Sequence, residues 1–172
     1  MDSVSLLRMQ VKGAHDMLEG TIKDLTAEQA HFQPAGAATS AGANLAHIIL
    51  AEDFFLNMVV GRTPLGTGAF AGKMGMSEPP PMGGDWTEWA GRVKVDLPAL
   101  RTYGQAVFKS TDEYLASLKP DDLDKEVDLS MAGMGKQKLG SFLTTIGVVH
   151  GSNHCGEISC LKGMQGSKGY SF

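Results

Sequence analysis

Hydrophobic residues recur at three- and four-residue spacing in four long segments of the chain, which is the period of one face of an α-helix. The four segments cover about 3–20, 41–60, 97–118 and 140–162. The second is preceded by a capping residue, Thr39 or Ser40, and is stopped by Gly61. Because a helix of about 20 residues spans roughly 30 Å, four such helices predict an all-α fold, a four-helix bundle.

Two of these helices place histidines on or beside their predicted inner faces. The buried face of the second helix is expected to consist of Leu45, Ile48, Ile49, Phe55 and Val59. His47 lies beside that face. The inward side of the fourth helix is expected to consist of Leu143, Ile146, His150, His154 and Ile158.

Shorter elements connect the long helices. Thr26 is a predicted cap for one helical turn, and Asp85 is the predicted first residue of a capping box that opens a short helix from 86 to about 94. Between the third and fourth helices, 125–129 alternates polar and apolar residues, and 136–139 can pair with it. We expect a small β-hairpin there, packed on the helices because two strands alone are only marginally stable.

The chain is expected to form one domain over 1–172, with two irregular parts. Residues 61–84 are rich in glycine, proline and methionine and show little periodicity. Loops of this length in compact domains are usually lids, binding loops or connectors, and the sequence does not choose between a substrate lid and a connector. Residues 166–172 form a C-terminal tail that we expect to be frayed.

Charge and cysteine usage exclude several classes of partner. The formal net charge is −4 and there is no run rich in lysine or arginine, so neither nucleic acid nor an anionic membrane is an expected partner. No apolar stretch approaches the roughly 18 residues of a spanning helix, and no secretory signal pattern is present. Cys155 and Cys160 point to different sides of one predicted helix, so we expect free thiols and a cytoplasmic location.

The fourth helix carries two histidines at the spacing of a shared metal ion. His150 and His154 are four residues apart, so both imidazoles leave the same face of the helix, about 40° from each other. His47 lies on a second helix that can pack beside the fourth. Three imidazoles from two packed helices form the protein side of an open metal site. The competing interpretation is a set of hydrogen-bonded core histidines.

Glu157 is the candidate catalytic residue, because it lies about 20° from His150 around the same helix. Its carboxylate is a candidate to orient a histidine ligand, to act as a general base or to complete the coordination sphere. Gly147 and Gly151 flank this region at a cost of about 1 kcal/mol each relative to alanine. Close approach of a neighbouring helix explains them better than access of a substrate.

Other metal sites are excluded by their motifs. A di-iron carboxylate bundle needs a Glu-x-x-His pair on each of two helices, and the chain contains a single one, Glu28-Gln-Ala-His31. A zincin needs glutamate directly after the first histidine of the pair, where this chain has Gly151. Cys-x-x-Cys, Gly-x-x-x-x-Gly-Lys and Gly-x-Gly-x-x-Gly are also absent, which removes structural zinc, P-loop and dinucleotide sites.

Three segments together resemble a known family. They are Leu25-Thr-Ala-Glu-Gln-Ala-His-Phe-Gln-Pro34, Ala43-Asn-Leu-Ala-His47-Ile-Ile-Leu-Ala-Glu-Asp-Phe-Phe55 and His150-Gly-Ser-Asn-His154-Cys-Gly156-Glu157-Ile158. The last matches the pattern His-x-x-x-His-x-Gly-(Gln or Glu)-(Ile or Leu) of the DinB-like superfamily. Over nearly its whole length, the chain resembles these four-helix bundles, whose fold is shared by thiol-dependent S-transferases and the mycothiol-dependent maleylpyruvate isomerase.

The resemblance implies a metal centre and a reaction class. His47, His150 and His154 would hold a divalent ion, nickel or zinc first and iron or manganese next, in a homodimer formed through the bundle helices. The implied function is thiol S-transfer or isomerisation of a small electrophile, with a low-molecular-weight thiol as co-substrate and entry past the 61–84 loop. The alternatives are a metal-dependent hydrolase and a non-catalytic dimeric stress-response or binding bundle with a structural metal, so enzymatic activity stays open.

Overall fold

The long helices predicted from the sequence are all present in the computed structural model, which describes residues 1–81, 86–130 and 133–170. The helices are α1 (Ser3–Ile22), α2 (Ala27–His31), α3 (Ala41–Ala51, continued by Glu52–Leu56 and Asn57–Val59), α4 (Thr87–Arg92), α5 (Leu97–Ser117) and α6 (Leu139–Thr144, continued by Thr145–His150 and Gly151–Met164). The strands are β1 (Glu126–Asp128) and β2 (Lys136–Lys138). A 3₁₀ turn, Pro120–Asp124, lies between α5 and β1.

The four long helices pack as a ring in which α6 contacts α1 and α3, and α5 contacts the same two helices. This arrangement confirms the predicted all-α four-helix bundle. Ser40 caps α3, because its hydroxyl accepts a hydrogen bond from the backbone N–H of Ala43 at 3.3 Å. Asp96 caps α5 through the N–H of Ala99 at 3.1 Å. None of the helices in the described ranges is both long enough and apolar enough to cross a membrane.

The two helices that carry the predicted metal ligands, α3 and α6, each contain a π-helical segment that the hydrophobic pattern does not predict. The segment is Glu52–Leu56 in α3 and Thr145–His150 in α6. A π turn contains one more residue than an α turn, so the face that points inward shifts by about one residue. Phe55, predicted to be buried, is therefore 36% exposed, and Leu56 occupies the buried position at 2% exposure.

A polar layer crosses the bundle at the level of the first π segment and lies between two apolar clusters. The larger cluster includes Leu18 and Ile49, and the smaller includes Val11 and Leu56. Glu52 is buried between them, where one carboxylate oxygen accepts from the Thr111 hydroxyl at 2.6 Å and the other lies 2.9 Å from Nε2 of His15. One buried carboxylate therefore connects α3 to both α1 and α5.

Asp53, the next residue, anchors the long loop that follows α3. Its fully buried carboxylate accepts hydrogen bonds from the backbone N–H groups of Leu65 at 2.9 Å and Gly66 at 2.8 Å, and from the Tyr103 hydroxyl at 2.7 Å. These bonds hold the middle of the loop against α5. Its described part, 61–81, is a connector fixed to the bundle.

The predicted hairpin is confirmed, and the predicted fraying of the tail is wrong where the tail is described. Strands β1 and β2 pair antiparallel, with Val127 opposite Gln137. Residues 166–170 turn back along α6, and Tyr170 packs against the larger apolar cluster. The predicted turn at 132–135 is described from Gly133 onward. The predicted capping residue Asp85 and the last two residues, 171–172, lie outside the described residues.

Replacing Asp53 with alanine is expected to lower the free energy of unfolding by about 3 kcal/mol or more. The change leaves three donors, the backbone N–H groups of Leu65 and Gly66 and the Tyr103 hydroxyl, without their acceptor, and each orphaned buried donor costs about 1–3 kcal/mol. Urea denaturation followed by circular dichroism measures the loss. As a control, Asp16→Ala removes only an exposed ion pair with Lys12 and should cost at most about 0.5 kcal/mol. Equal losses in the two variants would contradict the anchoring role.

Candidate metal centre

The three histidines predicted as ligands lie together where α3 packs against α6. His47 is on the second turn of α3, His150 is the last residue of the π segment in α6, and His154 follows one turn later. The Nε2 atoms of His47 and His150 are 3.0 Å apart. One ring nitrogen of each of the three lies within 4.8 Å of the others. Residues separated by about 100 positions in sequence thus meet at one point.

The spacing of these nitrogens fits a single metal ion. Two nitrogens bound to one tetrahedral ion at about 2.0–2.1 Å lie roughly 3.4 Å from each other. The observed separations are 3.0 Å for the His47–His150 pair and at most 4.8 Å within the set, so small ring movements suffice. Imidazole nitrogen is a ligand for zinc, nickel, copper and iron alike. The donor set therefore suits a first-row divalent ion.

Both His47 and His150 are held in the neutral form that a metal ion requires. Burial, and after it repulsion from a neighbouring histidine, together lower the pKa of each imidazole to about 4. The neighbour that repels His47 is His154, and the one that most strongly repels His150 is His47. Only the neutral ring has a free lone pair for a metal, so the site has its ligands ready near neutral pH.

Glu157 fixes the ring of His154. Nδ1 of His154 lies 2.8 Å from a carboxylate oxygen of Glu157, and since an ionised carboxylate only accepts, Nδ1 donates. The lone pair of His154 is then on Nε2, as in the carboxylate–histidine pairs of many metal sites. His150 differs, because its Nδ1 is buried and has no hydrogen-bond partner among the described residues. Packing and the contact of its Nε2 with His47 orient that ring.

A cavity of about 490 Å³ opens beside the histidines. His47, His154 and Glu157 line it. Much of its remaining wall is apolar and comes from Ala37, Ala38, Trp86, Trp89, Leu161 and Met164. The described part of the long loop, 61–81, contributes no lining residue, so the expected entry past the 61–84 loop is wrong for that part. Asp53 holds it against the other side of α3.

Three lining residues of this cavity were not predicted from the sequence. Trp86 packs edge-on to His47, with ring centroids 5.1 Å apart, and Trp89 packs against Trp86 at 5.3 Å. The three-residue spacing of two tryptophans on a short helix is the signal that points to a shared face. Cys160 is exposed, lines the cavity and lies one helical turn after Glu157. That spacing is visible in the sequence, but only the fold shows that this face is open.

One of the two mid-helix glycines of α6 allows close helix packing. A side-chain carbon built at Gly147 would lie 3.0 Å from a methyl group of Val11 in α1, which is closer than an ordinary contact. At Gly151 it would lie 3.9 Å from a methyl group of Ile48 in α3, which is an ordinary contact. Neither glycine lines the cavity. The preferred interpretation, close approach of a neighbouring helix, is therefore confirmed at Gly147 but not at Gly151.

The remaining candidates for chemistry lie outside the histidine cluster. Cys155 is buried, its thiol donates to the Thr21 hydroxyl at 3.4 Å, and burial raises its pKa. His15 pairs with Glu52 in the polar layer. Nε2 of His31 accepts a hydrogen bond from the backbone N–H of Val95 at 3.0 Å. These side chains have structural partners, so the centre is restricted to the predicted trio and Glu157.

Comparisons with known proteins agree with this architecture. The sequence model of the DinB superfamily matches residues 10–158. Among solved structures, the chain is similar to the crystal structure of the conserved protein of a locus from Enterococcus faecalis, with 20% sequence identity and a TM-score of 0.79. The alignment covers 94% of this chain and 96% of that chain, and at this identity it supports the fold alone. No curated protein matches the sequence.

Acidification is expected to destabilise the metal-free protein between about pH 6.5 and pH 4. The two buried imidazoles have a pKa of about 4 when folded and an ordinary value of 6.5, so the unfolded chain binds protons first as the pH falls. The free energy of unfolding should fall by on the order of 2 kcal/mol per imidazole across this window. Urea titrations at several pH values measure the slope. The double variant His47→Gln/His150→Gln should lose most of it, and an unchanged slope would contradict the assignment.

Proposed function

The chain belongs to the DinB superfamily, and from that premise we propose that it is a divalent-metal-dependent thiol S-transferase or isomerase acting on a small electrophile. The observation that carries the proposal is the convergence of His47, His150 and His154 beside a cavity of about 490 Å³. We propose nickel or zinc as the ion, with iron or manganese as alternatives, and a low-molecular-weight thiol as co-substrate. The small-molecule substrate, the homodimeric state and the cytoplasmic location predicted from the sequence belong to the same proposal.

The three histidines and Glu157 have separate roles in the proposed reaction. The three imidazoles hold the ion and leave positions for a ligand on the cavity side. When bound, the ion would supply positive charge that favours the deprotonated form of a thiol. Glu157 orients His154 and is the candidate base for the proton that the thiol releases. Because its side chain is 54% exposed, Glu157 can pass that proton to solvent.

The cavity walls suit the second substrate. Trp86 packs edge-on to His47, and alanine, leucine and methionine side chains form much of the wall, beside the polar side chains of Thr39, Asn44 and Thr87. An electrophile bound there is held close to the histidines. Proximity of two reactants lowers the barrier to their reaction. This is the contribution that we assign to the cavity.

Removal of any one ligand is expected to remove the metal. His47→Ala, His150→Ala and His154→Ala should each bind less than about a tenth of the metal bound by the unaltered protein, measured by inductively coupled plasma mass spectrometry, because a site of two imidazoles is a much weaker site. The matched control is His31→Gln, since His31 lies outside the cluster and bonds only the backbone of Val95. Metal content that is equal in all four variants would contradict the site.

Turnover should depend on the same ion. Cysteine, N-acetylcysteine and glutathione, each paired with 1-chloro-2,4-dinitrobenzene, are assayed before and after chelation and after the metal is restored. We expect thioether formation that is lost on chelation and absent in His150→Ala. Hydrolysis of an ester without any thiol would favour the metal-dependent hydrolase. A large fall in melting temperature on chelation, with no turnover of any pair, would favour the structural metal.

Glu157→Gln is expected to lower activity by about 10–100-fold, as loss of a partner of a metal-bound histidine commonly does. The amide still accepts from His154, so metal affinity should fall less than activity. If Glu157 also accepts the thiol proton, the acidic limb of the pH–rate profile should change in this variant. Glu113→Gln, which removes only an exposed pair with Lys109 on α5, is the control. Unchanged activity in Glu157→Gln would contradict both roles.

A further inference from the structure

The cavity beside the metal centre has an unusual balance of charge. Among the described residues, Glu157 is the one lining residue with a carboxylate, and none of the lining residues is lysine or arginine. The residues outside the described ranges, 82–85, 131–132 and 171–172, include neither lysine nor arginine. The chain therefore supplies neither lysine nor arginine to this space.

The shape and polarity of the walls also favour an uncharged ligand over an anionic one. Two indole rings, those of Trp86 and Trp89, pack edge-on at one side. Alanine, leucine and methionine side chains form much of the remainder. A carboxylate or phosphate moved into such a space loses water and gains no lysine or arginine partner, which is unfavourable. An uncharged ring gains apolar contact and stacks on indole.

We propose that the second substrate is an uncharged, ring-sized apolar electrophile, and that the cavity rejects molecules carrying a carboxylate or phosphate. That the substrate is an electrophile rests on the proposed function, whereas the charge selectivity of the cavity does not. A bound divalent ion would carry positive charge of its own beside the histidines, so the selectivity assigned here is that of the cavity walls and is measured in the metal-free protein. The selectivity belongs to the residues of α4 and of the last turns of α6.

The protein carries its own reporter for this test. Its two tryptophans are Trp86 and Trp89, and both line the cavity, so intrinsic fluorescence reports on this space alone. Cyclohexylmethanol and cyclohexanecarboxylate have the same ring, differ in charge at pH 7.5 and do not absorb at the excitation wavelength. Each is titrated into the chelated protein, where no metal ion is present to bind a carboxylate. We expect a saturable emission shift with the alcohol and an apparent Kd at least fivefold higher for the carboxylate.

A second readout uses the thiol in the cavity. Cys160 is exposed and lines the cavity, whereas Cys155 is buried, so alkylation followed by mass spectrometry reports on Cys160. Iodoacetamide and iodoacetate deliver neutral and anionic groups of nearly equal size, each with loss of iodide. The ratio of their rates at Cys160 should exceed the ratio for N-acetylcysteine at least threefold, and Glu157→Gln should reduce it.

Two results would overturn the proposal. One is carboxylate binding as tight as that of the alcohol in the chelated protein. The other is the absence of any saturable shift with the alcohol. These outcomes are distinct from a failure of the proposed function, which would appear as a protein without bound metal or metal-dependent turnover while the cavity still prefers the uncharged ring.

Discussion

The close packing of α3 against α6 is the constraint on which the rest of the structure depends. It brings His47 to 3.0 Å from His150 although about 100 residues separate them in the chain. Ile48 of α3 lies beside Gly151 of α6, so the two helices are in direct contact at the level of the histidines. The metal centre is thus a consequence of interhelical distance more than of any local motif.

Below this contact the bundle contains buried charge that stabilises one arrangement of its helices. Glu52 and Asp53 lie in the π segment of α3, and both are buried and hydrogen-bonded to partners on other elements. A π segment is a less favourable helix geometry, and such segments occur often at functional sites. Here the carboxylate hydrogen bonds hold the segment in place and offset its cost. The site above it gains a rigid support.

Features set by interactions within one helix or strand were predicted correctly from the sequence, and features set by contacts between distant segments were not. Helix positions came from local periodicity, and their observed ends differ from the expected ones by only a few residues. The pair His150 and His154 was also accessible, because four-residue spacing fixes a shared face of one helix, whereas His47 was added from its place on a second helix and from the family resemblance. The burial of Phe55 was predicted wrongly because a π turn shifts which residues of the helix point inward, and no residue type in the sequence marks such a turn. Trp86, Trp89 and Cys160 were missed because a cavity wall assembles from distant segments.

The sequence by itself therefore determined the all-α bundle, the small hairpin, the membership in the DinB superfamily and the identity of the histidines. These are properties of residue type and spacing within a single element. Only the tertiary structure decided that the three imidazoles meet, that the long loop is tied to Asp53 away from the cavity, and that the described wall of the cavity contains neither lysine nor arginine. Each of these depends on distances between elements, which hydrophobic period and motif spacing do not encode.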